Sequence, residues 1–131
     1  MARDTLPKYQ EHFADRNFYY LNEDESRPYD GLAWRTMENL GWDDGNVMTL
    51  IAALDRNVHW EKEVPMCKVC HPEGTEFVTA DQYYIIWDDE ECTWKDSVEA
   101  GCIALSLKLA LVYDAKGEAA GLVTMHPSGT K

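Results

Sequence analysis

The chain has 131 residues, of which 24 are Asp or Glu and 12 are Lys or Arg, so its formal net charge is −12 at pH 7. This charge disfavours binding to nucleic acid and to anionic membranes, and it favours partners with basic surfaces. Hydrophobic residues make up 45% of the chain and include five Trp and seven Tyr, so a packed core in one domain is expected rather than disorder.

The N-terminal region has no feature of a secretory signal. Residues 1–20 carry Asp4, Glu11 and Asp15 and contain no apolar stretch of the required length. The longest apolar segment, residues 100–113, is too short to span a bilayer. We therefore predict a cytoplasmic protein of the host cell that does not bind membranes and whose four cysteines are reduced.

The first 29 residues are predicted to form a helix followed by an extended arm. Thr5 is placed to cap this helix, and Pro7 suits its first turn. A short aromatic run at residues 18–21 follows and leads into an acidic segment. We expect residues 1–29 to pack on a single α+β domain formed by residues 30–131.

The middle of the chain contains two helical patterns and two strand patterns. Residues 30–40 have apolar side chains at helical spacing and end at Gly41, and residues 47–54 predict a second, shorter helix. Alternation of apolar and polar residues predicts a strand over residues 58–64. Residues 76–87 predict a strand that is central in a sheet or covered on both sides, because its end is apolar on both faces.

The strongest periodic pattern predicts a long helix over residues 96–113. Asp96 and Glu99 match a capping box, and Gly117 is placed to end the helix. Residues 121–131 are predicted to form a short strand or a loose tail. The apolar stripe of the predicted helix consists of Val98, Cys102, Leu105, Leu109 and Val112.

These patterns together predict the α+β fold class. The expected architecture is a small antiparallel sheet of residues 58–64 and 76–87, packed by the helices at 30–40 and 96–113 in a single layer-type domain.

Cys67 and Cys70 form the one motif with metal-binding character. Two cysteines separated by two residues on a tight turn direct both sulfur atoms at one cation, which is half of a tetrahedral zinc site. No second close pair completes the site, so we expect no bound metal or other cofactor, with zinc at Cys67 and Cys70 as the alternative. The further residues that the sequence offers as ligands are His59, His71, Cys92 and Cys102.

The motifs of common enzyme classes do not occur in the sequence. It has no Gly-rich phosphate loop, no Gly-x-Ser-x-Gly nucleophile elbow and no His-Glu-x-x-His helix. Runs of adjacent acids are typical of solvated loops rather than of acid–base catalysis, which requires burial and a cleft. The sequence therefore favours a protein that is not an enzyme.

Two sets of residues resemble small phage proteins of the ABA-sandwich type. The first set is Arg27-Pro28-Tyr29-Asp30, Ala33-Trp34 and Met37-Glu38-Asn39-Leu40, and the second is Trp87, Ser97-Val98-Glu99-Ala100 and Cys102-Ile103-Ala104-Leu105. The resemblance spans residues 27–112. It implies a helix that closes the layer near the second set and an origin in a phage or mobile element, and it implies no activity.

Clustered acids carry the leading functional hypothesis. Carboxylates spaced along a surface stand in for phosphates against grooves lined by Lys and Arg. We therefore expect a protein that inhibits a basic, nucleic-acid-binding host protein, as a nucleic-acid mimic or in the manner of acidic anti-CRISPR proteins. The alternatives are a zinc-stabilised interaction module and an acidic globular protein without catalytic function. The expected partner-binding residues are Glu23, Asp24, Glu25, Asp88, Asp89, Glu90 and Glu91.

Overall fold

The computed structural model describes residues 2–21, 32–71 and 74–127. Within these ranges, helices and a β-sheet pack together, so the predicted α+β class is confirmed. The elements are a 3₁₀ helix (Ala2–Thr5), the helices α1 (Leu6–Ala14), α2 (Leu32–Leu40) and α3 (Asp44–Ala53), and the strands β1 (Phe18–Tyr20), β2 (Trp60–His71), β3 (Gly74–Asp88), β4 (Thr93–Lys95), β5 (Cys102–Asp114) and β6 (Gly117–Pro127).

The six described strands form one mixed sheet. The strand order is β1-β6-β5-β3-β2, and β4 pairs with the end of β3. β1 runs parallel to β6, and the other described pairs are antiparallel. The predicted antiparallel sheet of residues 58–64 and 76–87 is therefore only part of the sheet, since these segments correspond to parts of β2 and β3.

The prediction of a helix over residues 96–113 is wrong. This region contains β5, which lies between β3 and β6, and Asp96 and Glu99 lie in the connection that precedes it. A strand covered on both faces carries apolar residues on both sides, so β5, apolar apart from Ser106, Lys108 and its last residues, also satisfies the spacing of a buried helix. Gly117 does not end a helix but begins β6, where its φ of 118° suits the tight turn after β5.

Alternate residues of β5 enter two separate clusters of buried side chains. Leu105, Leu107 and Leu109 belong to the first cluster, together with residues of all three α-helices. Ala110 and Val112 belong to the second cluster, on the opposite face of the sheet. The members of the second cluster are Leu21, Cys67, Val69, Ala80, Ala110, Val112, Ala119 and Val123.

The ends of the helices agree in part with the sequence prediction. α1 begins after Thr5, but the Thr5 side chain makes no capping hydrogen bond, so that prediction is wrong. α2 ends at Leu40, and Gly41 follows with a φ of 70°, as expected of a helix terminator. The predicted helix at residues 47–54 corresponds to α3, which starts earlier because the Asp43 carboxylate accepts from the backbone N–H of Asn46. Across the described residues, no helix is both long enough and apolar enough to cross a membrane.

A glutamine joins α1 to the end of α3. The Gln10 side-chain amide donates to the carbonyl oxygens of Ile51 at 3.1 Å and Leu54 at 3.0 Å. These carbonyls lie at the C-terminal end of α3, where few backbone donors remain, and the Ile51 carbonyl also accepts from the backbone N–H of Leu54 at 3.2 Å. The contact fixes α1 over the sheet, with Tyr9 and Phe13 buried in the first cluster.

Gly121 accommodates the side chain of Leu21, and this contact gives a stability prediction. A Cβ atom at Gly121 would lie 2.2 Å from Cδ1 of Leu21, which is buried. We expect Gly121→Ala to cost about 1–3 kcal/mol through overpacking and Leu21→Ala to cost about 2–5 kcal/mol through loss of core volume. The double variant should cost clearly less than the sum of the two, as measured by urea unfolding. Strict additivity of the two costs would contradict this contact.

Candidate functional site

The predicted acidic site is described in part. Glu23, Asp24 and Glu25 lie outside the described residues. The other predicted segment, Asp88 to Glu91, forms the turn between β3 and β4. Asp88 Oδ1 accepts from the backbone N–H groups of Glu90 at 3.1 Å and Glu91 at 3.0 Å, so this carboxylate holds the turn in shape.

A tryptophan brings a second acidic segment to this turn. The Trp42 indole Nε1 donates to Asp89 Oδ2 at 3.0 Å, and Trp42 is followed directly by Asp43 and Asp44 at the start of α3. The two segments therefore lie side by side in the fold. We call the combined surface the acidic end, and its residues are Asp43, Asp44, Asp88, Asp89, Glu90 and Glu91.

One cation of the described chain pairs with the acidic end. Lys95 Nζ lies 3.0 Å from Glu91 Oε2. The hydrogen bond and the charge of Glu91 raise the pKa of Lys95 above its ordinary value. A second carboxylate of the acidic end is held by a tyrosine, because the Tyr20 hydroxyl donates to Asp44 Oδ1. The acidic end is thus a negatively charged surface with several of its carboxylates held by specific donors.

The structure does not bring Cys67 and Cys70 together, because they lie on a strand rather than on a tight turn. Cys67 pairs with Val78 and Cys70 with Thr75 in the regular register of β2 and β3, so the two side chains point to opposite faces. Cys67 is 6% exposed in the second cluster, whereas Cys70 Sγ accepts from the Thr75 hydroxyl at 3.5 Å. This geometry does not fit the half-site that the spacing predicted.

Other predicted metal ligands are also dispersed. In the part of the chain that the structure describes, no group of three or more His, Cys, Asp or Glu side chains is placed to hold a metal ion. Cys92 is exposed in the β3–β4 turn and Cys102 lies at the start of β5.

His59 has a structural role at the end of the α3–β2 connection. Its Nδ1 accepts from the backbone N–H of Asp55 at 2.9 Å, so the neutral ring carries its proton on Nε2. The ring is buried and meets Trp94 edge-on, with 4.8 Å between the ring centroids. Burial lowers the pKa of His59, with the Asp55 charge opposing this shift, so the ring is neutral near pH 7.

A group of polar side chains that the sequence analysis did not identify lies beneath α1. Asp81 is only 3% exposed and lies on β3, between β5 and β2. The Tyr9 hydroxyl donates to Asp81 Oδ2 at 2.6 Å, and the Trp60 indole donates to Asp81 Oδ1 at 3.2 Å. Each carboxylate oxygen is therefore held by one neutral donor. Tyr83, on the same face of β3, is fully buried, and its hydroxyl has no hydrogen-bond partner.

Burial dominates the electrostatics of this group. It raises the pKa of Asp81 above its ordinary value, the hydrogen bonds from Tyr9 and Trp60 lower it in part, and the charge of Glu63 raises it further. Burial and the neighbouring Asp81 raise the pKa of Tyr9, so its hydroxyl stays protonated as a donor. A buried carboxyl group of this kind is a frequent feature of functional sites.

Asp81 borders a cleft of about 450 Å³ between the N-terminal end of α1 and the sheet. We call it the Asp81 cleft. Its polar lining is contributed by Thr5, Tyr9, Glu63, Thr79 and Asp81, and Leu111 and Tyr113 add an apolar wall.

The described residues thus form two candidate sites, the acidic end and the Asp81 cleft. No family model, curated protein or solved structure matches this chain.

Proposed function

We propose that this protein is a small phage or mobile-element protein that binds and inhibits a basic, nucleic-acid-binding host protein in the cytoplasm. It acts without catalysis and without a bound cofactor, as a mimic of nucleic acid. The observation that carries this proposal is the junction of two acidic segments at the acidic end, where Trp42 joins Asp89 to the start of α3. The first set of residues that resembles small phage proteins of the ABA-sandwich type supports the proposed origin. The helix that the resemblance implies near the second set does not form, because residues 102–105 lie in β5.

Electrostatics explains how such a surface competes with nucleic acid. A groove lined by Lys and Arg binds phosphates largely through charge, and a row of carboxylates offers it the same charge. Complementary charge also speeds association with a basic partner and disfavours acidic ones.

The fixed positions of the carboxylates support this role. Asp88 is held by two backbone N–H groups and Asp89 by Trp42, so less conformational freedom is lost on binding than for free side chains. Glu90 is exposed, and Glu91 pairs with Lys95. We propose that Glu23, Asp24 and Glu25 also bind the partner.

The test begins with capture of a partner from nuclease-treated host lysate, followed by titration of the purified partner at several salt concentrations. We expect the affinity to fall by at least about tenfold between 50 and 200 mM salt, because several charge contacts contribute. Nucleic acid that the partner binds should compete with this protein for it. An affinity that does not change with salt, or a complex that nucleic acid does not displace, would refute the proposal.

A charge-reversed variant locates the binding surface. Glu90→Lys combined with Glu91→Lys leaves the turn-forming carboxylate of Asp88 and the bond from Trp42 intact, so the fold should persist. We expect this double variant to lose most of its affinity for the partner. The matched control is Glu11→Lys with Glu38→Lys, which changes the charge equally at exposed positions of α1 and α2. Equal losses in the two double variants would show that net charge, not the acidic end, governs binding.

A further inference from the structure

The Asp81 cleft contains two carboxylates in direct opposition. Glu63 on β2 and Asp81 on β3 are cross-strand partners, so their side chains point to the same face of the sheet, and both line the cleft. Like charges at such positions destabilise a sheet. Tyr9 and Trp60, which donate hydrogen bonds to Asp81, are both neutral, so they do not cancel the charge of the Asp81 carboxylate.

The remainder of the lining defines the kind of ligand that fits. None of the described residues that line the cleft is Lys, Arg or His. Leu111 gives apolar contact area, and the ring of Tyr113, which is 59% exposed, also lines the cleft. A volume of about 450 Å³ lies within the range of small-molecule sites.

A buried hydroxyl extends this polar group beneath α1. The Tyr83 hydroxyl has no partner, and Tyr83 lies two residues from Asp81 on the same face of β3, close enough for the two groups to interact electrostatically. A buried hydroxyl without a hydrogen-bond partner destabilises the folded state. Tyr83 does not line the cleft, so its hydroxyl belongs to the polar surroundings of Asp81 and is not a ligand contact.

We propose that the Asp81 cleft binds a small organic amine in its ammonium form. The ammonium group lies between the carboxylates of Glu63 and Asp81 and donates hydrogen bonds to both. The apolar part of the ligand packs on Leu111 and the ring of Tyr113, whose face also attracts the cation. Binding relieves the repulsion between the two carboxylates, which selects for a cation over a neutral molecule of the same shape. This site is separate from the acidic end and does not depend on the function proposed for it.

The test uses phenethylamine as the probe, with isothermal titration calorimetry at 150 mM salt. 2-Phenylethanol is the neutral control and phenylacetate the anionic control, since both keep the ring and a similar length. We expect phenethylamine to bind with a stoichiometry of one and both controls to bind at least about tenfold more weakly. Amide chemical-shift changes in the NMR spectrum should concentrate on β2, β3 and β5 around the cleft. Equal binding of the alcohol, or no binding of the amine, would refute the proposal.

Variants separate the cleft from the general charge of the protein. Glu63→Gln and Asp81→Asn should each weaken phenethylamine binding by about tenfold or more. Glu38→Gln removes the same charge from an exposed position of α2 and should leave the affinity unchanged. Glu63 is exposed, so its variant should remain folded even if Asp81→Asn does not. An affinity that falls equally in Glu38→Gln and Glu63→Gln would show non-specific attraction to an acidic protein and would overturn the assignment.

Discussion

Leu105→Ala is expected to destabilise the protein by about 2–5 kcal/mol, because it removes a fully buried side chain from the first cluster and leaves a cavity. Leu105 lies opposite Ile85 of β3, which is also fully buried, so neither strand can easily move to fill the space. Small domains have total stabilities of about 5–15 kcal/mol, so the change should unfold a measurable part of the population. Urea unfolding followed by tryptophan fluorescence measures the effect.

Val98→Ala is the matched control for this prediction, because a helix over residues 96–113 would bury Val98 and Leu105 on one face. In the structure Val98 is 58% exposed in the connection before β5. We therefore expect Val98→Ala to change the stability by no more than about 0.5 kcal/mol. A cost for Val98→Ala comparable with that for Leu105→Ala would contradict the strand and would favour the helix.

The error over β5 has a physical origin in the composition of the strand. Leu105, Leu107 and Leu109 face one cluster, while Ala110 and Val112 face the other. Residues 105–109 alternate apolar and polar side chains, as a strand does, but the apolar residues before and after them fall on both faces. Leu and Ala also have high helix propensity, so the whole segment satisfied a helical pattern as well. Pairing with β3 and β6 over most of its length decides the outcome. β6 follows β5 through a tight turn, whereas β3 is separated from β5 by β4 and its connections.

Local signals identified the ends of α2 and α3, because these ends depend on neighbouring residues, but the same kind of signal at Asp96 and Glu99 predicted a helix that does not form. Gly41 ends α2 through its own left-handed backbone, and Asp43 caps α3 through an amide three residues later. The same reasoning identified Asp88 to Glu91 as an exposed acidic turn. It did not identify the bond between Trp42 and Asp89, which are 47 residues apart and have no shared pattern.

The Asp81 cleft was missed for a related reason. Its central contact joins Tyr9 to Asp81 across 72 residues, and Trp60 reaches the same carboxylate across 21 residues. One signal was present in the sequence, because Asp81 stands just before the apolar run of β3, in a strand predicted to be covered. A carboxylate at such a position must find donors when it is buried. The identity of those donors depends on how α1 packs, which no local pattern specifies.

Tyr9→Phe is expected to destabilise the protein by about 1.5–3 kcal/mol at pH 7, because it leaves Asp81 Oδ2 buried without its donor. Phe retains the ring that packs in the first cluster, so the loss is that of the hydrogen bond rather than of core volume. Tyr113→Phe is the matched control, since the Tyr113 hydroxyl donates to Glu118 at 3.3 Å on the exposed surface. It should change the stability by no more than about 0.5 kcal/mol.

The pH dependence of this cost separates the hydrogen bond from a packing defect. The pKa of Asp81 in the folded protein is raised above its ordinary value, so its contribution to stability is fully present below that ordinary value and is lost as the pH rises through the folded pKa. Removing the Tyr9 donor raises the folded pKa of Asp81 further, since this hydrogen bond is one of the two that lower it. As the pH rises, the free energy of unfolding of the variant therefore continues to fall up to a higher pH than that of the parent. The cost of Tyr9→Phe should be largest near neutral pH and should shrink as Asp81 becomes protonated in both proteins.

Urea unfolding of both proteins between about pH 4 and pH 8 measures this difference. A cost that is constant over this range would mean that Tyr9 stabilises the fold by packing alone, and the buried carboxylate would then not be the centre of this polar group.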